Sequence, residues 1–151
     1  MSAASDYLED KLLDHTLRNT AFTQPSGLYI ALFSGAPSTI LPLLEANSGF
    51  AEYEIQSWGT DSTASNYTRT AVTFAAASGG SASNSANVTF STAGSNYTNS
   101  AGSGSTVTCI AVMDASTGGN CLFKGQLDNA KEILDGDTFQ ISTGNLTISL
   151  A

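Results

Sequence analysis

One histidine, two cysteines and thirteen acidic side chains are the groups in this 151-residue sequence with obvious chemical potential. His15 could serve as a general base or a metal ligand. It follows Leu12 by one helical turn, at the edge of an apolar stripe. No serine or cysteine stands in the strand–turn–helix context of an activated nucleophile, so His15 reads as a structural side chain. One histidine and two separated cysteines also make no zinc-ligand spacing. Asp135-Gly136-Asp137 offers two carboxylates, as a calcium loop would. The further oxygen ligands and the closing glutamate of an EF-hand are missing, and Asp-Gly before a strand is a turn signal in its own right. A carboxylate pair for glycoside hydrolysis need only be close in space, and thirteen acids supply accidental pairs. Gly102-Ser103-Gly104 lies in a Ser/Gly-rich loop with no following helix, so it is no phosphate-binding loop. The sequence assigns no catalytic residue, no metal ligand and no cofactor.

The cysteines flank a hairpin turn at residues 115–120 (ASTGGN). Folding about that turn sets Cys121 near Asp114 and Cys109 near Gln126. The two sulfurs then lie several residues apart in register, beyond disulfide geometry. Both read as small apolar side chains in strands. The contact-making chemistry lies in Trp58 and the five tyrosines. Tyr67 and Tyr97 stand in Ser/Asn/Thr-rich, loop-like segments. Two readings are open for them: adaptable contact with protein or sugar, or rings that close the ends of the fold.

The elements that must position these residues follow from periodicity. Residues 6–18 (DYLEDKLLDHTLR) read as an amphipathic helix, with Leu8, Leu12, Leu13 and Leu17 as its stripe and Ser5 as N-cap. Residues 28–33 (LYIALF) read as a buried strand. Pro37 and Pro42 punctuate the next stretch, which reads as a loop or one helical turn, and 53–58 as a short strand. Further strands are expected at 70–74, 87–90, 106–113, 121–127, 137–142 and 146–150. The fold class is therefore mainly β: a single antiparallel β-sandwich or jelly-roll-like domain over 1–151 with one N-terminal α-helix. The sandwich occupies about 28–151, with loop excursions at 36–66 and 91–105. Residues 91–105 hold no aliphatic side chain larger than alanine, so that loop reads as mobile or ordered by a partner.

Charged residues are 12% of the chain and the net charge is −8. Such a surface is repelled by phosphate backbones, which argues against nucleic acid as a partner. No apolar run is long enough to cross a membrane as a helix, and the N-terminus lacks a secretory pattern. Four Asn-X-Thr sequons, at Asn66, Asn87, Asn96 and Asn145, are matches expected by chance in so Asn- and Thr-rich a chain. Small polar side chains with few charges suit flat faces that meet other proteins.

Several segments in order resemble a family of small tailed-phage structural proteins, often labelled phage tail fibre proteins. They are residues 5–20 (SDYLEDKLLDHTLRNT), 28–32 (LYIAL) with Ala36-Pro37, and 67–74 (YTRTAVTF) leading into 77–80 (ASGG) and 84–90 (NSANVTF). The series continues with 110–114 (IAVMD), 117–125 (TGGNCLFKG), 136–139 (GDTF) and 144–147 (GNLT). Residues 38–66 and 94–105 depart from the family pattern, where partners would be met.

The resemblance implies a non-enzymatic virion component, made in the host cytoplasm. A chain of this size holds one globular domain and no long shaft. The leading expectation is therefore a capsid decoration, or cement, subunit that binds the major capsid protein or other virion subunits. Self-association as a homotrimer is expected. The alternative is a tail-fibre or receptor-binding module that recognises a host surface glycan. A cell-wall hydrolase is a distant third. Candidate partner-contact residues are Leu8 and Leu12 on the helix, Leu41 and Leu43 in the 38–66 segment, and the aromatics Trp58, Tyr67 and Tyr97.

Overall fold

Ile30 and Leu32 alternate with Ala31 and Phe33, and all four are fully buried. A strand buried on both faces has to sit in the middle of a sheet with a layer on each side. A computed structural model, which describes residues 2–56 and 66–150, shows that arrangement.

The elements run β1 (Ser2–Ala4), α1 (Asp6–Leu17), β2 (Leu28–Ser34), α2 (Pro37–Glu45), a 3-10 turn (Phe50–Glu52), β3 (Thr70–Val72), β4 (Ser81–Ser83), β5 (Val88–Thr89), β6 (Thr106–Met113), β7 (Cys121–Glu132), β8 (Gln140–Ile141) and β9 (Thr147–Ser149). The main sheet has the order β1-β7-β6-β2-β3, and every pairing in it is antiparallel. Two small antiparallel pairs, β4 with β9 and β5 with β8, form a second β layer. The mainly β expectation with an N-terminal helix therefore holds.

The two faces of the main sheet bury different chemistry. On one face Ile30, Leu32, Ile110 and Val112 meet Val88, Phe90, Phe139, Leu146 and Ile148. On the other, Ala31, Phe33, Cys109, Ala111 and Met113 meet Ile40 and Leu44 of α2 and Phe50 of the 3-10 turn. At the β1 end, Ala4, Leu8 and Leu122 form a third, smaller cluster.

Three expectations are corrected. Residues 37–45 form a helix and not a loop or single turn. Pro37 takes the first helical turn, where its missing N–H costs nothing, and Pro42 removes one bond that the burial of Ile40 and Leu44 offsets. Residues 91–105 are tied into the protein's own structure. The Ala93 amide donates to Asp137 O at 2.8 Å and the Tyr97 amide to Ile133 O at 3.0 Å. Asn99 Nδ2 donates to Ser34 O at 2.7 Å and to Tyr53 O at 3.0 Å. Hydrogen bonds and one aromatic ring order this loop where aliphatic area could not. The third correction concerns α1. Ser5 caps it as expected, accepting from Leu8 N at 3.3 Å. Only Leu8 is buried and Leu12 half-buried, while Leu13 and Leu17 are 56% and 75% exposed. The four leucines are not one stripe.

Candidate functional site

The densest group of buried polar chemistry stands where β3 begins. Glu54 follows the 3-10 turn and bridges to Phe33 of β2, while Arg69 immediately precedes β3. Arg69 Nε and Nη2 donate to Glu54 Oε1 and Oε2, both at 2.7 Å, a two-pronged pair whose side chains are 6% and 12% exposed. Arg69 Nη1 donates to the carbonyls of Ala115 and Gly118 at 3.0 and 2.6 Å. Tyr67 Oη donates to Glu54 Oε1 at 3.1 Å and accepts from Leu32 N at 3.0 Å. Burial works against the Arg69 charge, but the hydrogen bonds and charge of Glu54 more than offset it and hold the guanidinium above its ordinary value. Burial, followed by the Glu54 charge, pushes the Tyr67 phenol well up. Every strong donor of this group is directed at a fold partner, so it acts as a clamp between β3, the segment after the 3-10 turn, and the β6–β7 hairpin turn.

That hairpin turn is braced from within. Asp114 Oδ1 accepts from the Asn120 amide at 2.6 Å and Oδ2 from its side chain at 2.7 Å. Gly119 has φ of 72°, and a Cβ there would collide with the Asp114 carboxylate, so only glycine fits. Asn47, after α2, accepts from Cys121 N at 2.7 Å and donates to Asn120 Oδ1 at 2.9 Å, fastening the helix to the same turn.

The remaining reactive side chains are committed in the same way. Cys109 lies opposite Gln126 and Cys121 opposite Met113, both thiols free and fully buried. Burial pushes the Cys109 thiol up, and burial pushes Cys121 to about 12 against the pull of the Arg69 charge, with a smaller push from Asp114. A thiol so placed is protonated at neutral pH and is a poor nucleophile. His15 Nδ1 sits 3.2 Å from Thr20 O and 3.4 Å from the Phe22 amide, at the end of α1. Asp137 Oδ2 accepts from Leu134 N at 3.0 Å, which makes residues 134–137 a turn. Lys124 Nζ pairs with Glu45 and donates to Ala4 O at 3.4 Å. Among the described residues, no three His, Cys, Asp or Glu side chains group as a metal site, and no helix is long and apolar enough to cross a membrane.

The residues expected to meet partners are scattered. Leu8 is buried in the cluster at the β1 end, with Leu12 packed against it. Leu41 and Leu43 are half-buried on the α2 layer. Tyr67 and Tyr97 lie inside the main core with ring centroids 5.8 Å apart at 75°, so they follow the ring-packing reading of the two left open. Trp58 lies outside the described residues. Two outward features went unassigned by sequence reasoning. One is the exposed pair Leu13 and Leu17, which helical angle rather than spacing alone would have found. The other is a groove of about 370 Å³ between β7 and β9, lined by Phe123, Gln126, Leu127, Asn145 and Ile148 among others. It is assembled from strands far apart in sequence and has no local signal.

A family model described as Podophage GP4 fiber I protein gp80 matches residues 3–149. No curated protein matches the chain.

Proposed function

The chain belongs to the podophage GP4 fiber I protein gp80 family, and on that premise we propose that it is a non-enzymatic structural subunit of a phage fibre that works by binding other virion proteins. The observation that carries this reading is the extent of the match, which runs from β1 to β9 and so takes in the whole fold. It favours a fibre position over capsid decoration. The interior agrees with mechanical work. Arg69, Glu54 and Lys124 hold segments together, and both thiols are kept protonated by burial. The partners are neighbouring virion subunits and further copies of the chain, with a homotrimer as the assembly.

Quantitative mass spectrometry of purified particles, with labelled antibody to place the chain by electron microscopy, tests the reading. A few to a few dozen copies at the tail are expected. Hundreds of copies over the head shell would restore the decoration reading. Cleavage of a cell-wall or polysaccharide substrate by the purified chain, lost in a carboxylate variant, would overturn the non-enzymatic part.

The groove between β7 and β9 favours a narrower second reading, recognition of a host surface glycan. Gln126, Asp128, Asn145 and Ser149 line it together with the apolar Phe123, Leu127 and Ile148, a mixture of groups suited to sugar hydroxyls and the apolar face of a pyranose. Binding of purified host surface polysaccharide, abolished by Asn145→Ala, is the expected result under that reading.

A further inference from the structure

The outward face of α1 sets two exposed leucines among acids, of which Asp6 and Glu9 also act through charge on Lys124 while Asp10 has no such role. At about 100° per residue, Leu8 and Leu12 lie within roughly 40° of each other on the side turned to the fold. Leu13 and Leu17 form a second pair roughly 140° away, and Asp6, Glu9 and Asp10 fall within about 60° of that pair. All five residues of this outward group are exposed. Two of the four large apolar side chains exposed among the described residues are thus neighbours, one turn apart, with acids around them.

Helix stability does not ask for this. Asp6 and Glu9 favour the helix N-terminus, but leucines at 56% and 75% exposure gain nothing from the fold. We propose that this face is the docking surface for a different virion subunit, one that presents an apolar cleft rimmed by lysine or arginine. The inference rests on the fibre reading above and names the surface that reading requires.

Charge decides the occupant. A second copy meeting the same face would set Asp6, Glu9 and Asp10 against their own counterparts. Nor can another part of a copy supply a basic cleft. The chain has five basic residues. Arg69 and Lys124 are held in ion pairs within the fold, Lys11 lies over the Tyr7 ring at 5.6 Å, and Arg18 pairs with Asp14 at 3.1 Å. Lys131 alone makes no cleft. Anionic lipid and nucleic acid are repelled by the same acids. An amphipathic helix laid in a basic-rimmed groove, with Leu13 and Leu17 as anchors, satisfies both the apolar and the acidic parts.

The test uses phage carrying Leu13→Asp with Leu17→Asp, and separately Asp10→Lys. Leu150→Asp, at an exposed leucine elsewhere, serves as control. Copies of the chain per purified particle are counted by mass spectrometry after washes at low and high salt, and the purified variants are checked by thermal melting and light scattering. Expected are melting points near the parent's for all variants, an unchanged oligomeric mass, and at least a tenfold loss of the double-leucine variant from particles. Asp10→Lys should be lost several-fold at low salt, with a smaller salt dependence than the parent. Leu150→Asp should be retained. Full retention of the double-leucine variant overturns the inference while leaving the fibre reading standing. A change in oligomeric mass also overturns it, since the face would then meet a second copy. Absence of the parent chain from particles instead removes the fibre reading.

Discussion

Replacing Tyr97 separates a loop that belongs to the core from one ordered only by a partner. The ring is 1% exposed and meets Tyr67 edge-on at 5.8 Å. Its backbone amide is fixed to Ile133 O at 3.0 Å. Tyr97→Ala removes a buried aromatic ring, a change that costs about 3–5 kcal/mol. For a chain of this length that is a fall of roughly 6–20 °C in Tm. The hydroxyl adds a second, opposite expectation. It is buried with no hydrogen-bond partner among the described residues, and burial raises its pKa. An unsatisfied buried hydroxyl costs about 1–3 kcal/mol, so Tyr97→Phe should be neutral or raise Tm by a few degrees. Calorimetry and urea unfolding of the isolated chain measure both variants. An unchanged midpoint for Tyr97→Ala would show that the loop is not part of the core. A drop of several degrees for Tyr97→Phe would show that the hydroxyl has a partner and refute the burial argument.

Removing one side of the Arg69–Glu54 pair, by Arg69→Met or Glu54→Gln, should destabilise the isolated chain by about 3–5 kcal/mol. The double variant should cost less than the sum, because each single change strands a buried group. Additive losses in denaturant titrations would mean the pair is not coupled. Alkaline pH should also lower stability. Burial raises the thiols of Cys109 and Cys121 above 9.0 and the phenols of Tyr67 and Tyr97 above 10.0, so the unfolded chain loses those protons first. Stability is then fully present below pH 9 and falls as pH rises toward about 12, where Cys121 titrates. Lys124, lowered by burial from 10.5, works in the opposite direction over the range below that value. Tm measured from pH 8 to 11 should fall, and Cys121→Val should flatten the fall; a flat parent profile refutes the assignment. Neither thiol should react with a thiol-specific reagent in the native state at pH 8, whereas both should react in urea. Fast native labelling would contradict their burial. Analytical ultracentrifugation should give three times the 15.5 kDa chain mass, and a monomer at all concentrations would remove the trimer.

How much was readable in advance depended on whether the deciding interaction was local. The central strand was readable because apolar residues at both parities admit one placement. The β6–β7 register was readable from its turn: Cys109 does face Gln126, and Cys121 is one residue from the expected partner. The slip falls at an irregularity between Val112 and Met113, which turn composition does not reveal. Helix α2 was not readable because two prolines are strong local signals, while the burial of Ile40 and Leu44 under the sheet is a tertiary one. The 91–105 loop misled for a related reason. Its order comes from Asn99 reaching Ser34 and Tyr53, more than forty residues away in sequence, and no area estimate over the loop alone contains that bond.

The candidate surface was half readable. Spacings of four and five residues among Leu8, Leu12, Leu13 and Leu17 suggest one stripe, but a helix resolves it into two pairs on nearly opposite sides. The first pair is what holds α1 to β7 through Leu122, and it is lost to any partner. The second pair is lost to the fold. In a chain whose strong charges inside are spent on clamps and whose thiols are shut away, most of the remaining surface is small, neutral and interchangeable. Recognition then has to come from the few places where apolar and charged groups stand together, and the outer side of α1 is where this sequence puts two leucines among three acids.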